Sequence, residues 1–389
     1  MGGGVVAHSP IARRILEIVS AKGVSPGAWS GILARMPVGD VEGMLASPEG
    51  RERLSRKLHR RVTEPDSAFV EEQLRRLDAG GYGLISILDE EYPALLREIQ
   101  EPPPVLYYAG DLTALSRPAL CVVGSRRATR RGLITARDFA RELSRLGIHV
   151  VSGLARGIDG AAHEGALGGP GGTTAVLGSG LDVLYPPEHR RLAERILESG
   201  CVVSEFPLGT EPFRYNFPRR NRILSGLSLG VVVVEAALES GAMGTAGWAA
   251  DQGREVFAIP GPIDDPRSRG PHKLIRDGAH LVESPKEVAE ILMGGKAGSS
   301  SRESAPGEEV CDEDSGARPP VTFPQLELCS EDERRVLETL SLDPKHIDEL
   351  VQFCHISPAI ILPILLDLEM RGVIVSCGSG AYALAAPAG

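Results

Sequence analysis

From residue 119 onward, short β-branched runs alternate with amphipathic stretches. ALCVVG (119–124), IHVVSG (148–153), TTAVLG (173–178), CVVSEFP (201–207), LGVVVVEA (229–236), EVFAIPG (255–261) and HLVES (280–284) read as strands. Helical spacing of apolar residues over 132–146, 158–167 and 187–198 follows the first three. Short apolar strands joined by helices predict a parallel sheet covered on both faces, with right-handed crossovers. The expected fold class is therefore α/β, an extended Rossmann-like, doubly wound, mostly parallel sheet over residues 85–293. Ligands of such sheets sit beyond the carboxyl ends of the strands.

On either side the pattern changes. Residues 10–80 carry helical spacing (ARRILEIV, VEGML, AFVEEQLRRLDAGG) broken by short Gly/Pro turns, which predicts a small helical, SAM-like domain over 1–84. The stretch ISILDEEYPALLREIQEPPPVLYYAGD mixes a short strand, a helical turn and a Pro run, and is expected to be a connector (85–118) packed on the sheet domain. Residues 294–325 are rich in Gly, Ser, Pro and acids and predict a flexible linker. Helices over 330–341, 345–353 and 357–371, then VIVSCGSGAYALA with Gly378 and Gly380 at a hairpin tip, predict a winged-helix domain over 326–389.

Composition narrows the function classes. The 389 residues are 42% hydrophobic and 24% charged, an ordinary soluble profile. The strongest apolar run, VVVVEAAL (231–238), is interrupted at Glu235, far short of the roughly 18 residues a membrane span needs. With no basic-then-apolar leader pattern in MGGGVVAHSP, a cytoplasmic protein without membrane partners is expected. The six cysteines are widely spaced, so neither a metal centre nor a disulfide framework is expected. Net charge is −10 overall, but 119–285 holds 20 Arg and Lys against 18 Asp and Glu, and 326–389 holds 4 against 10. An anionic partner is therefore expected in the middle of the chain, not at its acidic end.

Three strand-end loops share a composition: GSRRATRRG (124–132), SGLARGID (152–159) and ESGAMGTAG (239–247). Each opens a helix, where backbone N–H groups and the helix dipole favour an anion and small residues let a phosphate approach. Gly124, Ser125, Arg126, Gly153, Arg156, Ser240 and Gly241 are the candidates they supply. A fourth segment, PFRYNFPRRNRILSG (212–226), crowds Phe213, Tyr215 and Phe217 into a chain with only 4% aromatic residues. If extended, it sets the three rings on one side and Arg214 with Asn216 on the other. Arg219, Arg220, Asn221 and Arg222 follow directly. Aromatic faces beside guanidinium groups suit unpaired bases and their phosphates, stacking being worth roughly 1–3 kcal/mol per base. Core rings, and arginines paired with Glu205 or Glu235, are the plainer alternative, and would still leave a basic strip.

Enzyme motifs fail on inspection. No G-K-[ST] ends a phosphate loop, so anion binding need not mean NTP hydrolysis. GLSLG (226–230) has a helix before it and a strand after it, the reverse of a nucleophile elbow, which makes Ser228 structural. GSGLD (178–182) lacks the third Gly of a dinucleotide fingerprint. His163 lies on the helix after the second loop, where packing explains it better than catalysis. No cofactor and no catalytic residue is expected.

At these residues the chain resembles the DNA processing protein A (DprA, or Smf) family. The resemblance runs through GSR at 124–126, SGLARGID with Ala162 and His163, VLGSGLDVLYP, SEFP, FPRRNRIL, VVEA, ESGAMGTA, GREVFAIPGPI and LIRDGA, and covers about 90–285. It implies single-stranded DNA binding without ATP, protection of that DNA, loading of the RecA recombinase during transformation, and a homodimer. Carried over by position, Ser125, Arg126, Arg156, Arg220 and Arg222 would line the DNA groove, with Arg214 at a usually basic position and Ser240 and Lys273 as weaker candidates. Pro187 and His272 depart from the family's usual Lys and Asn, which would lose one contact or move it to Arg190 or Arg191. Two rivals are weighed. A nucleotide phosphoribohydrolase would need P-G-G-x-G-T and a nearby Glu, which SGAMGTAGWAAD lacks. A winged-helix repressor would need a basic recognition helix, whereas 357–372 has one basic residue beside Asp367 and Glu369.

Overall fold

The computed structural model describes residues 9–294 continuously and residues 335–384 in part. The chain divides into two compact units, 1–297 and 298–389. In the first, five helices come before the sheet: α1 (Pro10–Ser20), α2 (Pro26–Leu33), α3 (Val38–Ala46), α4 (Pro48–Leu58) and α5 (Ser67–Gly80). Ser-Pro pairs open three of them. Ser9, Ser25 and Ser47 each accept a first-turn N–H, and the following proline fills a position whose own N–H would have no helical partner. Asp66 caps α5, which ends on Gly81 in the left-handed region.

The remaining elements of this unit are β1 (Gly83–Ser86), α6 (Ala94–Arg97), β2 (Val105–Gly110), β3 (Ala119–Val123), α7 (Arg130–Arg145), β4 (His149–Ser152), α8 (Ile158–Ala166), β5 (Thr173–Val176), α9 (Arg190–Ser199), β6 (Cys201–Ser204), α10 (Asn216–Gly226), β7 (Gly230–Val233), α11 (Gly241–Asp251), β8 (Glu255–Ala258), α12 (Arg269–Arg276), β9 (His280–Leu281) and α13 (Pro285–Gly294). They build a nine-stranded sheet of order β1-β2-β6-β5-β4-β3-β7-β8-β9. All seven strands expected from the sequence form, and every pairing from β6 across to β9 is parallel. The segment expected to be a connector does more: β1 and β2 join the sheet antiparallel, β2 pairing with β6 as Tyr107 faces Ser204.

Period-two alternation divides the core. In β3, Leu120 and Val122 face α7 and α8, while Ala119, Cys121 and Val123 face the opposite layer; in β7, Val232 and Val231 divide in the same way. Strands covered on both faces have no polar side, hence the unbroken valine run. The opposite layer contains α9, α10 and α11 and also the apolar faces of α1, α2 and α5. Ile15, Leu16, Trp29 and Leu77 belong to the same cluster as Leu84, Leu106 and Val203. The N-terminal helices thus share a core with the sheet.

In the second unit, β10 (Lys345–His346), α14 (Ile347–Cys354), β11 (Ile374–Ser376) and β12 (Ala381–Leu384) are described, with sheet order β10-β12-β11. The helix expected over 345–353 is preceded by a two-residue strand, a short third member of the wing sheet. The linker expected at 294–325, apart from Gly294, and the hairpin tip at Gly378 and Gly380 lie outside the described residues.

Ile15 is fully buried, and its replacement by Ala removes packing in the layer shared by helices and sheet. Ile15→Ala is expected to cost about 2–5 kcal/mol. Both tryptophans, Trp29 in α2 and Trp248 in α11, lie in this unit. Urea unfolding followed by tryptophan fluorescence should therefore shift as a single step; two separated steps would mean that the helices and the sheet unfold independently.

Candidate functional site

The chain adds strands in one direction from β3 to β6 and in the other from β7 to β9, so strand order reverses between β3 and β7. A cleft of about 760 Å³ opens there, between the loops after β3, β4 and β7 and the first turns of α10 and α11.

Helix α10 makes one wall, and a buried ion pair fixes it. Arg222 donates through both terminal nitrogens to Glu205 at 2.6 and 2.9 Å and through Nε to Glu101 O at 3.0 Å. The side chains of Arg222 and Glu205 are 4% and 1% exposed. Arg219 adds a third bond to Glu205 at 2.8 Å. A fork-to-carboxylate pair of this geometry locks the helix against the end of β6 and the loop before β2.

Arg220 faces the other way, into the cleft floor. It is 3% exposed, and its Nη1 donates to Gly153 O at 2.9 Å and to Val176 O. The ends of β4 and β5 are thereby held to α10. Burial lowers its pKa, with Asp159 and Cys121 opposing, and a guanidinium nonetheless keeps its charge. A Cβ at position 153 would lie 2.4 Å from Arg220 Nη1, so a larger residue there would displace the guanidinium from its two carbonyls. Arg220 Nε has no partner among the described residues.

The three small-residue loops are not equivalent. The N-terminus of α7 is already closed: Glu235 accepts from the Thr129 N–H at 2.9 Å and from its hydroxyl at 2.5 Å, and a Cβ on Gly132 would collide with that carboxylate. The loop before α8 is filled by Asp159, which accepts from the Gly153 N–H at 3.1 Å. Burial raises the Asp159 carboxyl above its usual range, while Arg220 pulls it down. Only the third loop stays open. Ser240 precedes α11 without capping it, and its buried hydroxyl has no partner among the described residues. Asn221 positions this turn by donating to Gly241 O at 3.1 Å.

The rim is cationic and aromatic. Arg126 lies over the Phe217 ring, 4.9 Å from its centroid, and the Tyr185 ring packs tilted against Phe217 with centroids 5.8 Å apart. Arg126, Arg127 and Arg214 are exposed and have no ion-pair partner among the described residues. Gly124, Ser125, Arg126, Arg214, Phe217, Arg220, Asn221, Ser240 and Gly241 all line the cleft. Gly153 and Arg156 line a small annex beside it, where Arg156 pairs with Glu188.

Other expected residues lie elsewhere. The 212–226 segment is not extended, because α10 starts at Asn216, so the three rings diverge. Phe217 turns into the cleft, while Phe213 and Tyr215 stack on each other at 5.5 Å on the outside. Arg219 and Arg222 are committed to Glu205, the alternative weighed for two arginines, whereas Glu235 serves Thr129 instead. Lys273 pairs with Asp277 on exposed α12, and neither Arg190 nor Arg191 lines the cleft. His272 bonds Gly261 O at 3.0 Å, and Ser228 bonds Leu224 O at 2.9 Å. Arg127, Tyr185 and Asp159 line the cleft without having been singled out. Arg127 and Asp159 stood inside loops already marked, but nothing local to LDVLYPP placed Tyr185.

His163 is structural. Thr173 Oγ donates to Val150 O and so accepts from His163 Nδ1–H at 2.7 Å, which leaves Nε2 to accept the Leu154 N–H at 3.3 Å. Burial holds this ring neutral, its pKa pulled down to about 3, and His149 likewise to about 4. Among the described residues no group of three or more His, Cys, Asp or Glu could hold a metal, and no helix is long and apolar enough to cross a membrane.

Fold and site together define a Rossmann-like protein with a basic cleft at its switch point and a winged helix after it. Residues 83–293, more than half of the chain, match the family model for DNA recombination-mediator protein A, and residues 317–380 match the DprA winged helix domain. The chain belongs to the DNA processing protein A (DprA/Smf) family. Protein Smf of Escherichia coli (strain K12) is 50% identical over 227 residues, which cover 58% of this chain and 61% of that protein, so the match spans less than two thirds of this relative. DNA processing protein DprA of Streptococcus pneumoniae is 42% identical over 228 residues, 59% of this chain and 79% of that protein. The X-ray structure of the S. pneumoniae protein superposes with a TM-score of 0.57 at 35% identity, covering 74% of this chain and 93% of that one. A Helicobacter pylori DNA processing protein A, described for its single-stranded DNA binding mode, gives a TM-score of 0.50 at 29% identity over 55% of this chain and 96% of that one.

The two buried histidines set an acid limit. Each has a folded-state pKa below its ordinary 6.5, so between pH 6.5 and about 4 the unfolded chain binds more protons and stability falls as pH falls. In urea unfolding between pH 6 and 4.5, His163→Gln should reduce the slope of stability against pH by about 1.4 kcal/mol per pH unit. An unchanged slope would mean that His163 is already protonated in the folded protein.

Proposed function

We propose that the chain binds single-stranded DNA in this cleft, without sequence preference and without hydrolysing a nucleotide. On this reading it protects incoming strands in transformation and recombination and passes them to the RecA recombinase, working as a homodimer in the cytoplasm. The observation that carries the proposal is the inequality of the loops. Glu235 closes the N-terminus of α7, Asp159 fills the loop before α8 by accepting from the Gly153 N–H, and the third loop, at Ser240, opens toward Arg126, Arg214 and Arg220. A phosphate at that third terminus would find backbone N–H groups, an unpartnered hydroxyl and guanidinium charge together. Phe217 beside Arg126 offers a face on which an unpaired base can stack. Support also comes from the H. pylori relative, whose structure is described for single-stranded DNA binding.

No catalytic role is proposed. Asp159 is buried and committed to backbone N–H groups, and the ring nitrogens of His163 are both occupied. The rival phosphoribohydrolase reading is tested by release of free base from nucleoside monophosphates, where turnover would overturn the non-enzymatic assignment.

Fluorescence anisotropy with labelled oligonucleotides across a salt series tests the groove. Arg126→Ala and Arg214→Ala should each weaken single-strand binding and flatten the dependence of log affinity on log salt by about 0.7 per lost phosphate contact. Arg220→Ala should instead lower the unfolding midpoint as well, because its guanidinium holds Gly153 and Val176. Indifference of single-strand affinity to both Arg126→Ala and Arg214→Ala would defeat the cleft as the DNA site.

A further inference from the structure

A second basic groove lies in the N-terminal helices, apart from the cleft. Helix α4 ends at His59, which adopts a left-handed conformation with φ 53°, and the chain reverses there. The turn places Arg60 and Arg61 beside Arg51, Arg56 and His59 along a groove of about 550 Å³. This segment is firmly held: Thr63 and Lys22 exchange bonds of 2.9 and 3.1 Å, and Val62 N–H donates to Ser55 Oγ at 2.9 Å.

The groove's charge is poorly compensated. Glu52 and Glu64 lie 4.0 Å from Arg56 and Arg51, with side chains 70% and 78% exposed; pairs of this kind contribute little in water. Arg56 and Lys57 complement the carbonyl end of α4, an ordinary structural role. Arg60 and Arg61 lie beyond the helix, exposed, with no side-chain partner among the described residues, so the dipole does not account for them.

We propose that this groove binds the phosphate backbone of double-stranded DNA. Its apolar lining is Pro48 and Val62, and Val62 is only 5% exposed, so it offers no aromatic or aliphatic anchor of the kind a protein interface needs. Its only ring is the small imidazole of His59, in contrast to the larger Phe217 and Tyr185 faces in the cleft, so an unpaired base has less to stack on. What it presents is guanidinium charge, which favours the ligand of highest phosphate density, a duplex with one charge per ~1.7 Å of axis. The proposal stands whether or not the cleft takes a single strand.

The test uses the full chain, a labelled 20-mer duplex and a labelled single-stranded oligonucleotide in anisotropy titrations, with thermal melts confirming folding. Substituting the exposed trio (Arg56→Ala, Arg60→Ala, Arg61→Ala) should lower duplex affinity by about tenfold or more at low salt and reduce the salt slope by about 0.9 per lost contact. Single-strand affinity should stay within about twofold, because phosphate neutralisation is local to the site. The corresponding triple Lys variant, which keeps the charge, should retain duplex binding. Arg126→Ala should do the reverse of the Ala trio, weakening single strands and sparing the duplex, so that failure of the cleft reading and failure of the groove reading give different results. Duplex affinity untouched in the Ala trio, an equal loss for both ligands, or capture of poly-glutamate with the duplex ignored would each overturn the proposal.

Discussion

The guanidinium of Arg220 is the contact on which the cleft depends. It crosses from α10 to the carbonyls of Gly153 and Val176 and so joins the ends of two neighbouring strands to the helix that walls the site. The demands this makes on its surroundings explain several residues at once. A buried cation needs nearby negative charge, and Asp159 supplies it while also ordering the loop after β4. The guanidinium occupies the space a Cβ at 153 would need, which is why a glycine there suits it. The helix carrying it must not shift, and two residues further on Arg222 is clamped to Glu205. Two positions within one turn of α10, on opposite sides of the helix, thus use the same residue type for different ends, one to fix the helix and one to hold charge beneath the cleft.

Internal carboxylates decide where an external anion can go. A helix N-terminus at a strand end attracts negative charge whether that charge is a ligand or a side chain. Glu235 reaches across 106 positions to satisfy α7, and Asp159 folds back on its own loop before α8. In both places a carboxylate of the protein itself occupies backbone N–H groups that an external anion would otherwise meet. The turn at Ser240 is the exception, and it is held from outside by Asn221, so it is ordered without being filled.

Much of this fold was legible because buried parallel strands have a simple signature. Each of the seven apolar runs from 119 to 284 became a strand, since a strand covered on both faces can carry little else. The strands β1 and β2 were less visible: they are short and antiparallel, β2 follows a run of prolines, and the partner that ties β2 to the sheet, β6, lies about a hundred residues away. The cleft residues were found through their loops, but their roles were not. Arg214, Arg219, Arg220 and Arg222 look interchangeable in sequence, and only the helical phase of α10 and the position of Glu205 separate the exposed from the buried ones. The expectation of an extended segment failed because Asn216 begins a helix, which rotates Phe217 away from Phe213 and Tyr215. The closure of α7 by Glu235 has no local signal in the sequence.

Net charge gives the least guidance. A chain of −10 would seem poorly suited to a polyanion, yet fields at a protein surface are set over about a Debye length, ~10 Å at 0.1 M salt. At that range the cleft sees Arg126, Arg127, Arg214 and Arg220 with Asp159 buried among backbone N–H groups, and the groove at the end of α4 sees its arginines with two solvated acids, Glu52 and Glu64, each 4.0 Å from an arginine. What distinguishes the two basic surfaces is the size of their rings: Phe217 and Tyr185 line one, and only the small imidazole of His59 lines the other. Charge alone attracts phosphate without discriminating its form, whereas a ring held beside a guanidinium discriminates by whether a base is free to stack. On the two proposals above, a chain with both kinds of surface would treat paired and unpaired strands differently, the difference arising from stacking rather than from charge.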